Sequence, residues 1–355
     1  MSLQSYCPHR ERFGYGGDIV VSCDAFMMNY DMAGFYANTV RLFEDAAKPD
    51  GRFPDTAPFI GLSYCGVGWE MAYPLLTHKL YRYYGNRRIV DEQFPVAKKW
   101  LSALQKEYPD GIIDKGLSDH EGLEEKPEAV MITPFYCQSI RLLEKLAEIN
   151  GHSEDSHYYH DLHEAVRQKY LERFFEPKSG KVGPCTQGSQ AFAIYSGLFS
   201  DEQLRKPLGQ LLEQIEQRQN HLSTGIFGTR FMLNVLSEHG YADKAYQIVN
   251  QRTFPGWGYM IEKGATTLWE HWDFSDDIFS HNHPMFGSVS EWFYQWLAGI
   301  QPAPEAVGFD RIWIRPQMVP ELDWVRCRYD SVRGPIESNW QRERSEERRV
   351  GKEGR

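Results

Sequence analysis

Residues 141–170 read RLLEKLAEINGHSEDSHYYHDLHEAVRQKY, and they contain two apolar faces of helical period joined by a short polar turn. Leu142, Leu146 and Ile149 recur at the spacing of one helix face, and the pattern stops at Asn150-Gly151, a pair typical of a helix C-terminus. A second helix is predicted to begin near Ser153, which suits an N-cap. Because so short a turn makes the two helices antiparallel, this stretch predicts a helical hairpin.

The same kind of pattern recurs from about residue 18 to residue 300, interrupted by short Gly, Pro and Asn turns. About eleven or twelve helices fit between Glu11 and Glu270. Hairpins in such a series either stack as an open solenoid or close into a ring, and no repeat motif of fixed period supports a solenoid. We therefore predict a closed double ring of helices whose loops converge on a central pocket. Further helices are predicted over 18–47, 67–86, 88–107, 187–197, 201–218 and 286–298.

After Ile300 the pattern changes from helical to strand-like. Residues 301–304 read as a linker, and residues 312–329 alternate apolar and polar side chains in the manner of β-strands. We divide the chain into a helical domain over 1–300, an incomplete β-domain over 301–340 and a non-native or disordered tail over 341–355. The predicted fold class is all-α, followed by the start of a truncated β-sandwich.

Composition argues against several classes of function. A net charge of −10 argues against a nucleic-acid partner, because such proteins present a basic face to phosphates. No long apolar run and no apolar leader is present, so neither a membrane partner nor an export signal is predicted, and the location stays open between cytoplasm and periplasm. The six cysteines are scattered without zinc-type spacing, so no metal and no other cofactor is predicted.

The segment CPHRERFGYGGD, residues 7–18, is the first candidate for chemistry. Two arginines flank Glu11, and three glycines permit a backbone path that brings Glu11 close to Asp18. The competing interpretation makes Glu11 a salt-bridged surface residue and Asp18 the N-cap of a helix.

Residues 254–284 are the second candidate, because three tryptophans and several acidic and imidazole groups crowd into this short stretch. Trp257, Trp269 and Trp272 are candidates for the walls of a sugar pocket into which Glu270 presents a carboxylate. The competing interpretation is aromatic core packing beside a hydrated loop. Glu11 and Glu270 together match the paired carboxylates of a glycosidase.

These two segments resemble the signature segments of bacterial α-L-rhamnosidases, glycoside hydrolase family 78. The resemblance extends in order through PFYCQSIRLLEKLAEING, TGIFGTRFMLNVLSEHG and SHNHPMFGSVSEWFYQWLAGI, over nearly the whole chain to Trp340. It implies an (α/α)6 barrel catalytic domain with β-domains before and after it, so that N-terminal β-domains of the full-length protein are missing here. It also implies a rhamnose-containing glycan or glycoside as substrate, and hydrolysis of a terminal α-L-rhamnosyl bond with inversion.

The resemblance places the general acid on Glu11 and the general base on Glu270. Together with the pocket-wall hypothesis for Trp269, it gives a set of substrate-binding candidates: Arg10, Tyr15, Asp18, Asp119, Trp257, Trp269 and His283. The chain departs from the family pattern at three positions. Tyr6 stands where members carry an aspartate that contacts sugar hydroxyls, and Tyr15 and His120 each stand where a tryptophan is common.

An acid at Glu11 requires a raised pKa, from burial or from a nearby anion such as Asp18. Arg10 and Arg12 are therefore predicted to bind Asp18 or sugar hydroxyls rather than Glu11. Two alternatives stay open: another (α/α)6 carbohydrate enzyme, acting on a different sugar or by phosphorolysis, and an inactive helical sugar-binding protein, for which Tyr6 is the argument. Because the missing β-domains leave apolar faces uncovered, we also expect the isolated chain to be poorly soluble or to oligomerise.

Overall fold

The computed structural model describes residues 7, 8, 10–276 and 279–342, and helices dominate it. Tyr6 and the tail from residue 343 onward, on which two of the predictions fall, lie outside the described residues. The α-helices before Glu270 are α1 (Gly16–Asn29), α2 (Ala33–Asp45), α3 (Val67–Glu70), α4 (Ala72–Tyr84), α5 (Arg87–Glu107), α6 (Glu128–Asn150), α7 (Ser153–Phe174), α8 (Gln187–Tyr195), α9 (Asp201–Gln217), α10 (Ile226–Glu238), α11 (Ala242–Val249) and α12 (Trp257–Glu262). A 3-10 turn (Met285–Ser288), α13 (Val289–Trp292) and a π-helical turn (Phe293–Leu297) then form one continuous segment.

Six helical segments form an inner ring. They are α1, α3 with α4, α6, α8, α10 and the segment 285–297; each contacts the next, and the last packs against α1. The outer helices α2, α5, α7, α9 and α11 pack on the inner segments next to them in sequence. The predicted (α/α)6 barrel is confirmed, and the described residues place twelve α-helices between Glu11 and Glu270.

Aromatic side chains fill the interior of the ring. Phe135 contacts Phe192 and Phe227 edge to face, with ring centroids 5.2 and 4.7 Å apart, and Phe231 packs beside them. All four rings are fully buried. A large share of the aromatic content therefore stabilises the barrel core, where buried rings gain most from tight packing.

Helix ends follow local signals in most places. Gly151 ends α6 with a φ of +75°, which confirms the predicted C-terminal cap, whereas His152 rather than Ser153 is the N-cap of α7. The single helix predicted over 18–47 is wrong, because α1 ends at Asn29 and α2 begins at Ala33. Tyr30 has an extended backbone between them. Apolar residues continue on both sides of this break, so periodicity alone does not mark it.

Short strands complete the described chain. A two-residue hairpin of β1 (Phe175–Glu176) and β2 (Lys181–Val182) follows α7. After the barrel, β3 (Ile300–Pro302) pairs with β4 (Ile312–Ile314), and β5 (Trp324–Ser331) pairs with β6 (Gly334–Gln341), both antiparallel. The predicted strand-containing region after the barrel is confirmed, and the domain limits at residues 300 and 340 stay predictions.

The inner segments present their N-terminal ends at one face of the ring. Gly17, in the first turn of α1, lies against the Trp69 indole of α3, and that indole is 5.3 Å from the Phe227 ring at the start of α10. His283, just before the last inner segment, is 3.5 Å from Asp18. Helix N-termini carry partial positive charge, so this face suits carboxylates. The first and second candidate segments therefore meet at the same end of the barrel.

Candidate active site

The glycine-rich segment 14–18 is tied to the chain around Asp55. The Gly16 amide donates to the Asp55 carbonyl at 2.8 Å, and the Ala57 amide donates to the Gly14 carbonyl at 3.0 Å. A Cβ added at Gly17 would lie 2.4 Å from the Trp69 indole, so only glycine permits this approach. These contacts set the start of α1 and direct Asp18 toward the central pocket.

Asp18 and His283 are two buried polar groups at the pocket floor. Asp18 Oδ1 and His283 Nδ1 lie 3.5 Å apart, and neither atom has a hydrogen-bond partner among the described residues. Burial raises the pKa of Asp18 well above its usual value, and the charges of Glu270 and Glu11 raise it further. Burial lowers the pKa of His283 to about 3, aided by His120 and Arg10. The two side chains therefore face each other with unused hydrogen-bonding capacity, and burial favours the uncharged form of each.

Glu270 is held in a defined orientation by a nearby loop segment. Its amide donates to the Ser280 carbonyl at 2.8 Å, and the Ser280 amide donates back to Glu270 Oε2 at 2.6 Å. The side chain is about one tenth exposed. This reciprocal pair of hydrogen bonds, one of them charge-assisted, fixes the orientation of the carboxylate.

Arg10 links the two carboxylates. Its Nη1 donates to Glu270 Oε2 at 3.2 Å, and its Nη2 lies 3.5 Å from Glu11 Oε1. The prediction that Arg10 avoids Glu11 is therefore wrong, and Arg12 donates to the Pro8 carbonyl rather than to Asp18. One planar guanidinium therefore contacts both carboxylates and brings Glu11 and Glu270 to the same site.

The loop after Asp119 adds a cluster of His120, Glu121 and His271. Of these three residues, only His120 was singled out from the sequence. The pKa of His120 is lowered, chiefly by burial, while the charges of Glu121, Glu270 and Glu11 act in the opposite direction. Glu121 has a φ of +63° and contacts His120 at 3.4 Å and His271 at a shorter distance. Glu121 thus connects the His120 loop to the loop that carries Glu270.

The structure places Asp119 beside the pocket as a helix cap. Its carboxylate accepts hydrogen bonds from the amides of Gly225, Phe227 and Gly228, at 2.7, 3.1 and 2.9 Å. Burial raises its pKa to about 6 against the opposing effect of these donors. Both oxygens are occupied, so we expect Asp119 to influence substrate through the His120 loop that it holds.

The three predicted pocket tryptophans are all buried. Trp257 and Trp272 contact edge to face at 5.2 Å, and their indole N–H groups donate to the carbonyls of Phe286 and Thr224. Both side chains are buried, which fits the aromatic-core interpretation. Trp269 is also buried, but it directly precedes Glu270 and packs on His281, 5.3 Å away.

Tyr15 and Trp69 stand at the mouth and wall of the pocket. Tyr15 is half-buried, and burial together with the charge of Glu11 raises the pKa of its hydroxyl. Trp69 was not predicted, because no local motif marks it and only the approach of Gly17 brings it to the site. The structure thus gathers Arg10, Glu11, Asp18, Glu270 and His283, with Tyr15 close by.

Two further properties bear on function. In the part of the chain that the structure describes, no group of three or more His, Cys, Asp or Glu side chains is arranged to hold a metal ion. None of the described helices combines the length and the apolar character needed to cross a bilayer.

Known proteins with related sequences share one description. The family model for the bacterial α-L-rhamnosidase six-hairpin glycosidase domain matches residues 1–297, and the model for the bacterial α-L-rhamnosidase C-terminal domain matches residues 299–350. An α-L-rhamnosidase of Streptomyces avermitilis is 34% identical over 354 residues, which cover 96% of this chain and 34% of that protein.

Solved structures agree with this match. The α-L-rhamnosidase from Dictyoglumus thermophilum superposes with a TM-score of 0.90 at 32% identity, covering 97% of this chain and 40% of that one. The Streptomyces avermitilis α-L-rhamnosidase complexed with L-rhamnose gives the same TM-score and identity. That match covers 97% of this chain and 34% of the other. The chain spans between a third and two fifths of the length of these relatives. By sequence and by fold, the chain belongs to the bacterial α-L-rhamnosidase family.

Proposed function

We propose that the chain carries the catalytic domain of an inverting glycoside hydrolase that releases terminal α-L-rhamnose from glycosides or polysaccharides. The observation that supports this most is the meeting of Glu11 and Glu270 across one guanidinium at the mouth of a helical barrel. The names of the relatives supply the sugar, since each of those proteins is described as an α-L-rhamnosidase.

Glu270 is proposed as the general base. A base that activates water needs a fixed carboxylate with one free face, and the Ser280 amide and Arg10 hold Glu270 from two sides. Water between Glu270 and the sugar would lose its proton to the carboxylate as its oxygen attacks the anomeric carbon. An inverting pair stands roughly 6.5–9.5 Å apart to leave room for this water. Contacts of 3.2 and 3.5 Å from one guanidinium to the two carboxylates are compatible with this separation.

Glu11 is proposed as the general acid on the opposite side of the sugar. Its side chain is 39% exposed, which suits a group that must protonate the oxygen of varied leaving alcohols. A cation beside a carboxyl favours its ionised form, so we expect a bound sugar to draw Arg10 from Glu11 onto its hydroxyls. Arg10 would then act both in binding and in releasing Glu11 for protonation.

Asp18 and His283 are proposed as contacts for the sugar hydroxyls. Buried polar atoms are almost always hydrogen-bonded, and an unpaired one costs roughly 1–3 kcal/mol. Asp18 Oδ1 and His283 Nδ1 are two such atoms in the described pocket. A hydroxyl that donates to one and accepts from the other would satisfy both atoms.

Replacement of each carboxylate tests the two roles. We expect Glu11→Gln and Glu270→Gln each to lower kcat by about 10²–10⁴-fold, the range of general acid–base catalysis. On an aryl rhamnoside with a good leaving group, the loss in Glu11→Gln should be smaller than on an alkyl rhamnoside, because an acidic phenol needs less protonation. Glu270→Gln should lower kcat by the same factor on the aryl and the alkyl rhamnoside.

Product analysis and a matched control complete the test. NMR of the first-formed sugar should show β-L-rhamnose from an α-linked substrate, and retention of configuration would overturn the inverting assignment. Glu213→Gln, on the exposed face of α9, is the control and should keep full activity. Rhamnose binding without turnover in the unaltered chain would favour the inactive sugar-binding alternative.

A further inference from the structure

A second cavity lies at the end of the barrel opposite Glu11 and Glu270. Its volume is about 260 Å³, and it opens between α4, α6 and α8 near Ser196, which follows the last residue of α8. A neighbouring cavity of about 590 Å³ shares His78, Lys79 and Lys145 with it and continues to the segment 304–307. We call the two together the basal cavity, and its charged wall consists of Lys79, Arg82, Arg141, Lys145, Glu148, Arg230 and Glu305.

Three of these cations have local partners. Lys79 donates to Asp24 at 2.6 Å, and Arg230 pairs with Asp24 and Glu291 at 2.8 Å. Arg82 donates to backbone carbonyls between residues 302 and 306, as expected for a cation in the last turn of α4. The positive charges of Lys79, Arg82 and Arg230 are therefore balanced by contacts within the protein.

Arg141 and Lys145 differ from these three cations. Among the residues that the structure describes, neither forms an ion pair or a side-chain hydrogen bond, and both residues are partly open to solvent at the rim of the cavity. A Cβ added at Gly197 would lie 2.4 Å from Arg141 Nη1, so the guanidinium occupies space that glycine leaves open. One turn of α6 separates the two side chains, which places them on the same helix face.

The crowding of like charges has an electrostatic cost. Burial lowers the pKa of Lys145, and the charges of Arg141, Lys79 and Arg82 lower it further, against an opposing effect of Glu148. Burial, with the charges of Lys145, Lys79 and Arg82, holds the pKa of His78 well below its usual value. In a chain with a net charge of −10, two unpaired cations beside three paired ones at a concave site create a local positive potential that attracts anions.

We propose that the basal cavity binds a small oxyanion, such as the phosphate or carboxylate group of a sugar-sized molecule. Arg141 offers a planar fork of donors, and Lys145 offers a compact charge beside it. The Tyr195 oxygen accepts a hydrogen bond from Arg230 at 3.0 Å, which leaves its hydroxyl hydrogen to donate into the cavity. The volume suits a monosaccharide with one anionic group.

Calorimetric titration of the full chain at low ionic strength tests this proposal. The probes are inorganic phosphate, glucose 6-phosphate and galacturonate, with glucose as the neutral control. Saturable binding of at least one anion, without binding of glucose, is the expected result. Phosphate-only or galacturonate-only binding would identify the anionic group, and no saturable binding of any of the three would overturn the proposal.

Paired variants locate the binding. Arg141→Gln with Lys145→Gln should weaken the affinity by about tenfold or more, because each lost charge-assisted hydrogen bond accounts for roughly that factor. The matched control is Arg205→Gln with Lys178→Gln, two exposed cations outside the cavity, and it should bind as the unaltered chain does. Unchanged affinity in the first pair would contradict the site.

Two further measurements separate this site from the proposed active site. Glu270→Gln should keep the anion affinity, because the two sites lie at opposite ends of the barrel. In the absence of anion, the variant with Arg141→Gln and Lys145→Gln should have a higher Tm than the unaltered chain, because it removes repulsion among the cations. An unchanged or lower Tm together with unchanged affinity would leave the cations as ordinary surface charges and overturn the proposal.

Discussion

At the scale of single residues, the pocket depends on groups whose protonation differs from that of free side chains. Burial shifts the pKa of Asp18 upward and that of His283 downward, while the charged Arg10 bridges Glu11 and Glu270. Sequence motifs predicted that these five residues share a site. They did not predict that Arg10 contacts both carboxylates, because that contact depends on where two distant loops meet.

The pair of Glu121 and His271 gives a pH-dependent prediction. The hydrogen bond to Glu121 raises the pKa of His271, although burial opposes the shift, and His271 in turn lowers the pKa of Glu121 against the effect of burial. A histidine with a raised pKa contributes fully to the free energy of unfolding below its unfolded pKa of about 6.5. That contribution is lost as pH rises through the folded pKa. A glutamate with a lowered pKa contributes fully above its unfolded pKa of about 4.3. That contribution is lost as pH falls through the folded pKa.

Glu121→Gln should therefore lower the free energy of unfolding most between about pH 5 and 6, by roughly 1.5–3 kcal/mol, and less at pH 8. Urea unfolding across this pH range measures the difference. His160→Gln, which removes the more exposed contact between His160 and Glu144, is the control and should show a small effect. A loss in Glu121→Gln that does not vary with pH would contradict the ion-pair assignment.

At the scale of elements, helix periodicity predicted most of the barrel, and the failures have identifiable causes. Thr186 and Ser200 form capping boxes at the starts of α8 and α9, and both starts agree with the sequence pattern. The break between α1 and α2 was missed because no glycine or proline marks it. Trp69 was missed as a pocket residue for a different reason, since its role depends on tertiary contact with Gly17.

Asp119 provides a test of how one cap supports the site. Asp119→Ala would leave three backbone N–H groups at the start of α10 without their acceptor, so we expect a loss of roughly 2–4 kcal/mol in unfolding free energy. Thr186→Ala removes an ordinary cap and should cost only about 1 kcal/mol. Chemical denaturation of both variants makes the comparison. An equal or smaller loss in Asp119→Ala would show that the cap is not what holds the His120 loop.

At the scale of the whole molecule, the closed ring explains how residues 259 positions apart in sequence, Glu11 and Glu270, face one pocket. The ring was predictable because helix number and the absence of a repeat favour closure over stacking. The location of the basal cavity was not predictable. Lys79, Arg141 and Arg230 belong to three different helices, and only their packing brings the charges together.

The outer surface leads to a prediction about association. An apolar cavity of about 550 Å³ lies outside the pocket of Glu11 and Glu270, and Ile261 and Phe293 on its wall are 70% and 42% exposed. Exposed apolar patches of this kind drive association in water, so we expect the chain to form oligomers as its concentration rises. Light scattering after size exclusion, over a hundredfold range of concentration, measures the mass.

A charge on the patch should reverse this behaviour. Ile261→Lys with Phe293→Gln should shift the mass toward the monomer, because burying a lysine in a contact carries a desolvation cost. Val332→Lys, at an exposed apolar residue in the β5–β6 turn, adds the same charge elsewhere and should leave the oligomers intact. A monodisperse monomer of the unaltered chain at every concentration would contradict the prediction. Equal dissociation by both variants would assign the association to net charge rather than to this patch.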